Sequence, residues 1–367
     1  MIKNFGNELS LVESLFSRQP APLIGLDISS SGIKMAELKQ GNFSEWMLQK
    51  CAIEPLDHGW IVDGTIENFD EVLAALKRLL KKTGTKTKNA AMAISPSAVI
   101  TKKMIVPAGL NDQELEAQVE VEANQYIPFA LEEASLDFCV VGPAANSPGD
   151  VEVLIAASRK EKVQDRLALA EAAGLKLVVM DVESYAGRAA LSRLIQQLPN
   201  KGLNATVALF EVGSQATSMQ VLRDDVLLYE REQPFGSGQL LKLIVRQYGL
   251  TMEEAVIKRR NSDLPDDYGS TVLEPFVAGI SHEIGRALQF FFTSSQHNSV
   301  DYIMLSGEAG IFTGLSKFVT SQTTFPCAVI NPFEAMEIDE GVREQKLRIE
   351  APSYMIACGL AMRRYQK

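Results

Sequence analysis

Hydrophobic and polar positions repeat one pattern twice along this chain. In LIGLDISSSGIKMAEL, from Leu23, an apolar strand reaches an acidic residue, a small polar turn follows and a second strand returns; VALFEVGSQATSMQVL, from Val207, does the same. The alternation predicts two hairpins, the first made of Leu23–Ile28 and Ile33–Leu38 around the turn SSSG. If Asp27 is laid on Glu211, the copies lie close to half of the 367 residues apart, the spacing of an internal duplication. Turn formers crowd any hairpin, so one such hairpin carries little; two, each opening a βββα-like unit, carry more.

The remaining periodicity fills in each half. Strand-like sequence covers Trp46–Ile53, and Phe69–Lys82 sets Val72, Leu73, Leu76, Leu79 and Leu80 on one helical face before a strand at Asn89–Ser97. From about Lys103 the character changes. Asn111 with Glu114 three residues on has capping-box spacing, and Pro128 should end that helix near YIPF. Strands at Ala134–Val141 and Val151–Ala157, a helix from Lys160 stopping at Gly174, and a strand Leu175–Asp181 complete an α+β insertion. VESYAGRAALSRLIQQL reads as a helix. The second half is mostly helical beyond PFGSGQ: Leu240–Tyr248, Thr251–Arg260 and Thr271–Phe292, the last with Val272, Phe276, Ile280, Ile284, Leu288 and Phe291 at helical spacing. A strand DYIMLSG, the stretch EAGIFTGLSKFV and a helix SYMIACGLAMRRY close the chain.

Composition narrows the function classes. The chain exceeds one ordinary core, and 46% hydrophobic with 22% charged residues suits a globular protein of two lobes or more. A net charge of −10 argues against sequence-independent nucleic-acid binding, which needs cations to displace phosphate counterions. Cys51, Cys139, Cys327 and Cys358 form no CxxC, and His58, His282 and His297 have no metal-site spacing, so zinc chemistry and histidine-based nucleophilic catalysis are not expected. The apolar runs fall short of the roughly 18–20 residues that span a bilayer. MIKNFGNELSLVESLFSRQPAP lacks a signal-peptide core; Leu11, Val12, Leu15 and Phe16 make it either a short amphipathic helix or a frayed lead-in. A cytoplasmic protein is expected.

The hairpins offer a chemistry. A tight turn presents backbone N–H groups in a concave nest, and Ser or Thr hydroxyls add donors, so each turn suits phosphate oxygens. The acid at the strand end can order a hydrated Mg²⁺. In IMLSGEAGIF a strand enters a glycine turn ahead of a helix, which lets backbone approach a nucleoside closely.

The order GLDISSSGIK, FEVGSQATS, MLSGEAG resembles the phosphate-1, phosphate-2 and adenosine motifs of the actin-like ATPase fold. With EANQYIPFALEEASLDF, SDLPDDYGSTVLEPF and EIGRALQFFFTSSQHNSVDYI, the chain resembles the PilM family of type IV pilus assembly proteins, relatives of the cell-division protein FtsA. The likeness runs from about Leu23 to the C-terminus. It implies an α/β fold of two lobes from a duplicated βββαβα core with an FtsA/PilM-type insertion. After a lead-in of residues 1–20, subdomain 1A would take 21–103, 178–200 and 351–367, and the 1C insertion 104–177. Subdomain 2A would take 201–232 and 300–350, and 2B 233–299. It further implies ATP or ADP with Mg²⁺, and a groove between 1A and 1C holding the N-terminal cytoplasmic peptide of a PilN-like membrane protein. That docking would place the chain at the inner membrane through its partner alone. Other pilus platform proteins and motor ATPases become candidate partners, and a homo-oligomer stays open.

Carried onto this chain, Asp27, Ser29, Ser30, Ser31 and Lys34 match phosphate-1, with Lys34 a phosphate contact. Gly213, Ser214, Gln215 and Thr217 match phosphate-2, but the usual Asp is Glu211, whose carboxylate sits one methylene further out. Asp27 and Glu211 would hold Mg²⁺ through water. In the adenosine motif Gly307 is kept while Glu308 replaces the second glycine. Lys258 matches a position near the nucleoside, or is an exposed helix lysine. Asp181 or Glu183 would position water, or favour a helix start through the dipole. Tyr126, Ile127, Phe129 and Leu131 of QYIPFAL are candidate groove residues, or cap the insertion's own core. The expected role is an ATP-binding adaptor with weak or no ATPase activity, ATP biasing closure of the lobes. An active kinase of the sugar-kinase branch and a nucleotide-free scaffold are the alternatives.

Overall fold

The computed structural model describes residues 22–40, 46–145 and 147–365. The lead-in face of Leu11, Val12, Leu15 and Phe16 lies outside them. The described chain forms two units, one holding residues up to 40, 49–187 and those from 356 on, the other 46–48 and 188–355.

The first unit is built on β1 (Ile24–Ser29), β2 (Gly32–Gln40) and β3 (Trp46–Pro55). A small hairpin, β4 (Ile61–Val62) with β5 (Thr65–Ile66), precedes α1 (Phe69–Thr83), whose buried stripe is Val72, Ala75, Leu76 and Leu79. β6 (Asn89–Ile94) runs parallel to β1. β7 (Val99–Pro107), α2 (Asp112–Tyr126), β8 (Ala134–Pro143) and β9 (Asp150–Arg159) make the insertion, a three-stranded sheet ordered β7-β9-β8. Val106, Leu115, Val119, Val153 and Ile155 form its core between α2 and one sheet face. Asn111 and Glu114 make both bonds of the capping box, and Ile127 before Pro128 is extended. α3 (Lys160–Ala172) ends ahead of Gly174 at φ +75°, and β10 (Lys176–Val182) then joins β6 in parallel. Five strands of this sheet run in the order β10-β6-β1-β2-β3.

The bounds of the insertion's three-stranded sheet have local causes. Its sheet begins at Val99, where paired lysines at Lys102 and Lys103 mask the alternation of a strand exposed along much of its length. Its last strand ends at Arg159, because Leu169 and Ala170 of α3 bury in the core of the first unit's main sheet.

α4 (Glu183–Ile195) leads to the second unit: β11 (Thr206–Val212), β12 (Thr217–Arg223), β13 (Val226–Gln233), α5 (Gly238–Tyr248), α6 (Met252–Arg260), α7 (Glu274–Ser294), β14 (Tyr302–Gly307), α8 (Leu315–Thr323) and β15 (Cys327–Val329). The order β15-β14-β11-β12-β13 repeats that of the five strands named for the first sheet. In both, the hairpin is antiparallel and the strand on its other side is parallel, so β11 echoes β1 and β14 echoes β6. The duplication is thus a property of the fold. All six of the predicted helical positions, Val272 to Phe291, are buried against β11 and β12 residues such as Phe210 and Met219. A one-turn π-helix, Gly269–Leu273, occupies the predicted start, and α7 proper begins at Glu274.

The C-terminal helix, Met355–Met362, lies on the first unit's sheet face with Leu23, Ala91, Ala93 and Ala186. Two glycines allow its approach. A Cβ on Gly359 would stand 1.8 Å from the Ala186 carbonyl oxygen, and one on Gly25 would stand 2.1 Å from that of Ala357. Among the described residues, no helix is long and apolar enough to cross a membrane.

Candidate functional site

The first hairpin holds its charge internally. Its register sets Asp27 opposite Lys34, both buried, at 3% and 9% exposure. Lys34 Nζ donates to Asp27 Oδ2 at 3.0 Å and to Ser29 Oγ at 2.7 Å. The Ser29 hydroxyl in turn lies 3.2 Å from that of Ser31, with Ser30 at the tip of the turn. Asp27 Oδ1 is buried without a hydrogen-bond partner. A buried acceptor left open costs about 1–3 kcal/mol, and a ligand-borne donor or a hydrated cation would relieve it. In this respect the turn fits Mg²⁺ bound through water.

Arg166 of α3 belongs to the same neighbourhood and was missed from the sequence, where it is one cation among many on a helix. It is 3% exposed, and Nη2 donates to the Gly64 carbonyl at 3.0 Å. Burial pushes its pKa down, while Glu183, Asp165 and Asp27 oppose that shift. Glu183, at the start of α4, therefore sits within the field of Arg166. Asp181 is engaged elsewhere: Arg363 Nε donates to Oδ2 at 2.5 Å, and the Val182 N–H to Oδ1 at 2.8 Å.

The second hairpin is braced by the PFGSGQ loop. The N–H groups of Ser237 and Gly238 donate to the carbonyls of Gly213 and Ser214, each at 2.9 Å. A Cβ on Gly236 would meet both carbonyl oxygens, at 2.5 and 2.4 Å, so the loop sits against the turn only with glycine there. Thr217 is turned inward, its hydroxyl donating to the Phe235 carbonyl at 2.6 Å, while Gln215 is exposed. Glu211 is half-buried near the strand end and in register with Ser218 on one side and Ser306 on the other.

The adenosine-type turn lies beside it, because Val212 pairs with Gly307. Gly307 adopts φ +68°, and a Cβ there would approach the Val212 carbonyl to 2.5 Å, so glycine is required. Glu308 accepts a hydrogen bond from Ser237 Oγ, and its Oε1 is buried without a partner. Glu211, Gly213, Ser214, Gly307 and Glu308 are thus brought together in the second unit. Lys258 stands on α6, paired with Asp263 at 3.2 Å.

The insertion contributes a cleft of its own. The outer face of its sheet, opposite α2, borders the end of β10 and the start of α4. The opening is lined among others by Val99, Asp137, Ala156, Met180, Asp181 and Tyr185. Of the residues expected in a groove, Ile127 is buried with Ala123, Ala134 and Ala157 in the insertion's core, and Phe129 and Leu131 pack half-buried against them. Tyr126 is 47% exposed, with Lys102 Nζ 4.3 Å from its ring centroid. None of the four lines the cleft among the described residues. One signal of the cleft was legible: Ser135, Asp137 and Cys139 alternate with Leu136 and Phe138, marking a second, more polar face of β8.

The family model described as type IV pilus assembly protein PilM matches residues 25–365. The chain belongs to the PilM family. Among solved structures, this PilM-family chain is similar to one titled PilM-PilN type IV pilus biogenesis complex, at 28% identity and a TM-score of 0.77. That match covers 96% of this chain and 100% of the other. The chain is also similar to the ethanolamine utilization protein EutJ from Carboxydothermus hydrogenoformans, at 14% identity and a TM-score of 0.52, over 94% of this chain and 90% of that one; this likeness concerns the fold alone. The architecture is the actin-like ATPase fold.

Proposed function

We infer that the chain is a nucleotide-binding adaptor of the pilus assembly platform, docking a segment of a PilN-like membrane protein in the cleft between the insertion sheet and the β10–α4 junction. The observation that carries this is the cleft itself, in a chain similar along nearly its whole length to a protein solved as a PilM–PilN complex. Val99, Ala156 and Met180 offer an apolar floor to such a segment. Asp137 and Tyr185 supply polar atoms along its walls. Docking would hold the chain at the cytoplasmic side of the inner membrane. Arginine at Ala156 would fill the cleft from a half-buried position without entering the core. Ala156→Arg is expected to lose at least tenfold in pull-down of the partner's N-terminal segment, with melting within a few degrees of wild type. Undiminished capture by a folded variant would remove the cleft from the account.

ATP or ADP is the proposed ligand, argued for each unit by itself. In the first, Asp27 would hold Mg²⁺ through water and Ser29–Ser31 would meet phosphate; in the second, Glu211 would play the acidic part, Ser214 and Gln215 would meet phosphate, and Gly307 the nucleoside. Bound Mg²⁺ would neutralise phosphate charge. Lys34 is already engaged with Asp27, so it serves the site first by holding that carboxylate in place. Asp181 is held by Arg363, which fits slow hydrolysis or none. Millimolar Mg-ATP is expected to raise the melting temperature by several degrees, as a ligand of the folded state alone must. An unchanged melting curve would refute the nucleotide half of this reading.

A further inference from the structure

We propose that Glu308 is a built-in anionic latch on the second phosphate turn, one that weakens nucleotide binding through its charge. The inference rests on the nucleotide-binding reading above and concerns how that site is tuned. Four observations carry it. Glu308 directly follows Gly307, whose backbone is in register with Val212 at the entrance to the Gly213–Ser214 turn. Its carboxylate accepts from the hydroxyl of Ser237, a residue 2% exposed. Ser237 and Gly238 are themselves bonded to the carbonyls of that turn. Ser237 therefore ties the carboxylate, through its hydroxyl, to the turn that would receive phosphate, through its backbone N–H.

The fourth observation concerns the other carboxylate oxygen. Glu308 Oε1 is buried with no hydrogen-bond partner. A purely structural tie would be expected to satisfy both oxygens, since a buried acceptor left open opposes folding. The phosphate itself cannot satisfy it, because at neutral pH it brings acceptors and negative charge, and the hydrated Mg²⁺ of the nucleotide is assigned above to the strand-end carboxylates. Repulsion between the two is strong where water is scarce. A triphosphate entering this turn must therefore displace the carboxylate or bind against it. An uncharged nucleoside meets no such repulsion.

Charge and bulk separate in two variants. Glu308→Gln keeps the shape and a hydrogen-bonding partner for Ser237 but removes the charge; Glu308→Gly removes both. Binding of Mg-ATP and of adenosine is measured on the full chain by isothermal titration, with melting curves to confirm folding. Glu308→Gln is expected to tighten Mg-ATP by about fivefold or more while leaving adenosine within twofold. Glu308→Gly is expected to tighten Mg-ATP by at least as much and adenosine too. Equal or weaker Mg-ATP binding by folded Glu308→Gln, with wild type binding measurably, would overturn the latch and leave the nucleotide reading standing. Absence of Mg-ATP binding in wild type and both variants would overturn the nucleotide reading and the latch with it.

Discussion

Gly359→Leu is expected to yield little or no folded protein. At this position a Cβ alone would stand 1.8 Å from the Ala186 carbonyl oxygen and 2.5 Å from its carbon, both parts of the α4 backbone. Backbone cannot step aside as a flexible side chain can. The C-terminal helix would have to lift from a face where Ile356 and Leu360 meet Ala91, Ala93 and Ala186. That loses core burial as well as local geometry, and changes of this kind exceed about 4 kcal/mol. Soluble yield and thermal melting read the result. Gly279→Ala is the control, since a Cβ there meets nothing within 4 Å. It sits inside α7, where alanine gains up to about 1 kcal/mol over glycine. Its melting temperature should hold or rise. A Gly359→Leu protein melting within a few degrees of wild type would mean that the helix does not pack where it is described.

The second large effect falls on the first phosphate turn. Lys34→Met keeps the apolar stem and removes the ammonium that bonds Asp27 Oδ2 and Ser29 Oγ. Asp27 would then be a buried carboxylate with neither oxygen held by that cation. Breaking one side of a buried pair costs about 3–5 kcal/mol. Arg166 faces the same acid at longer range and moderates the loss without replacing the contact. Denaturant unfolding should show the decrease, and Asp27→Asn added to Lys34→Met should recover part of it, because the uncompensated charge is gone. The doubly substituted protein should still fail to bind Mg-ATP, which separates the structural from the ligand-binding role of the pair. A loss below about 1 kcal/mol in the single variant would show the pair to be solvated, as surface pairs of that worth are.

The hairpins, the capped helix and the long apolar stripe of α7 were legible because each rests on contacts close in sequence. Asp27 and Lys34 face each other through hairpin register, which a turn of known length fixes. Gly307 was readable for the same kind of reason: a strand running into glycine before a helix turn has one backbone solution. What local pattern could not supply was the company these residues keep. Arg166 reaches Gly64 and the field of Asp27 only because α3 packs on the main sheet. Glu308 could be read as a departure from a glycine pattern, yet its bond to Ser237 depends on β14 lying beside β11. Tyr126, Ile127, Phe129 and Leu131 read equally as groove residues or as caps of the insertion's core, a choice local pattern does not make. Ile127 is buried in the insertion's core, and Phe129 and Leu131 pack half-buried against it. The cleft, in contrast, is assembled from β8, β9, β10 and α4, segments that no window of sequence spans.

Hydrogen exchange with and without a saturating PilN-like N-terminal peptide tests the adaptor account most directly, since it reads where a partner sits. The account predicts slowed exchange at Ser135–Asp137, Ala156–Ser158 and Met180–Tyr185, the segments that line the cleft. Protection confined to residues 126–131, or no protection anywhere at saturation, would contradict it.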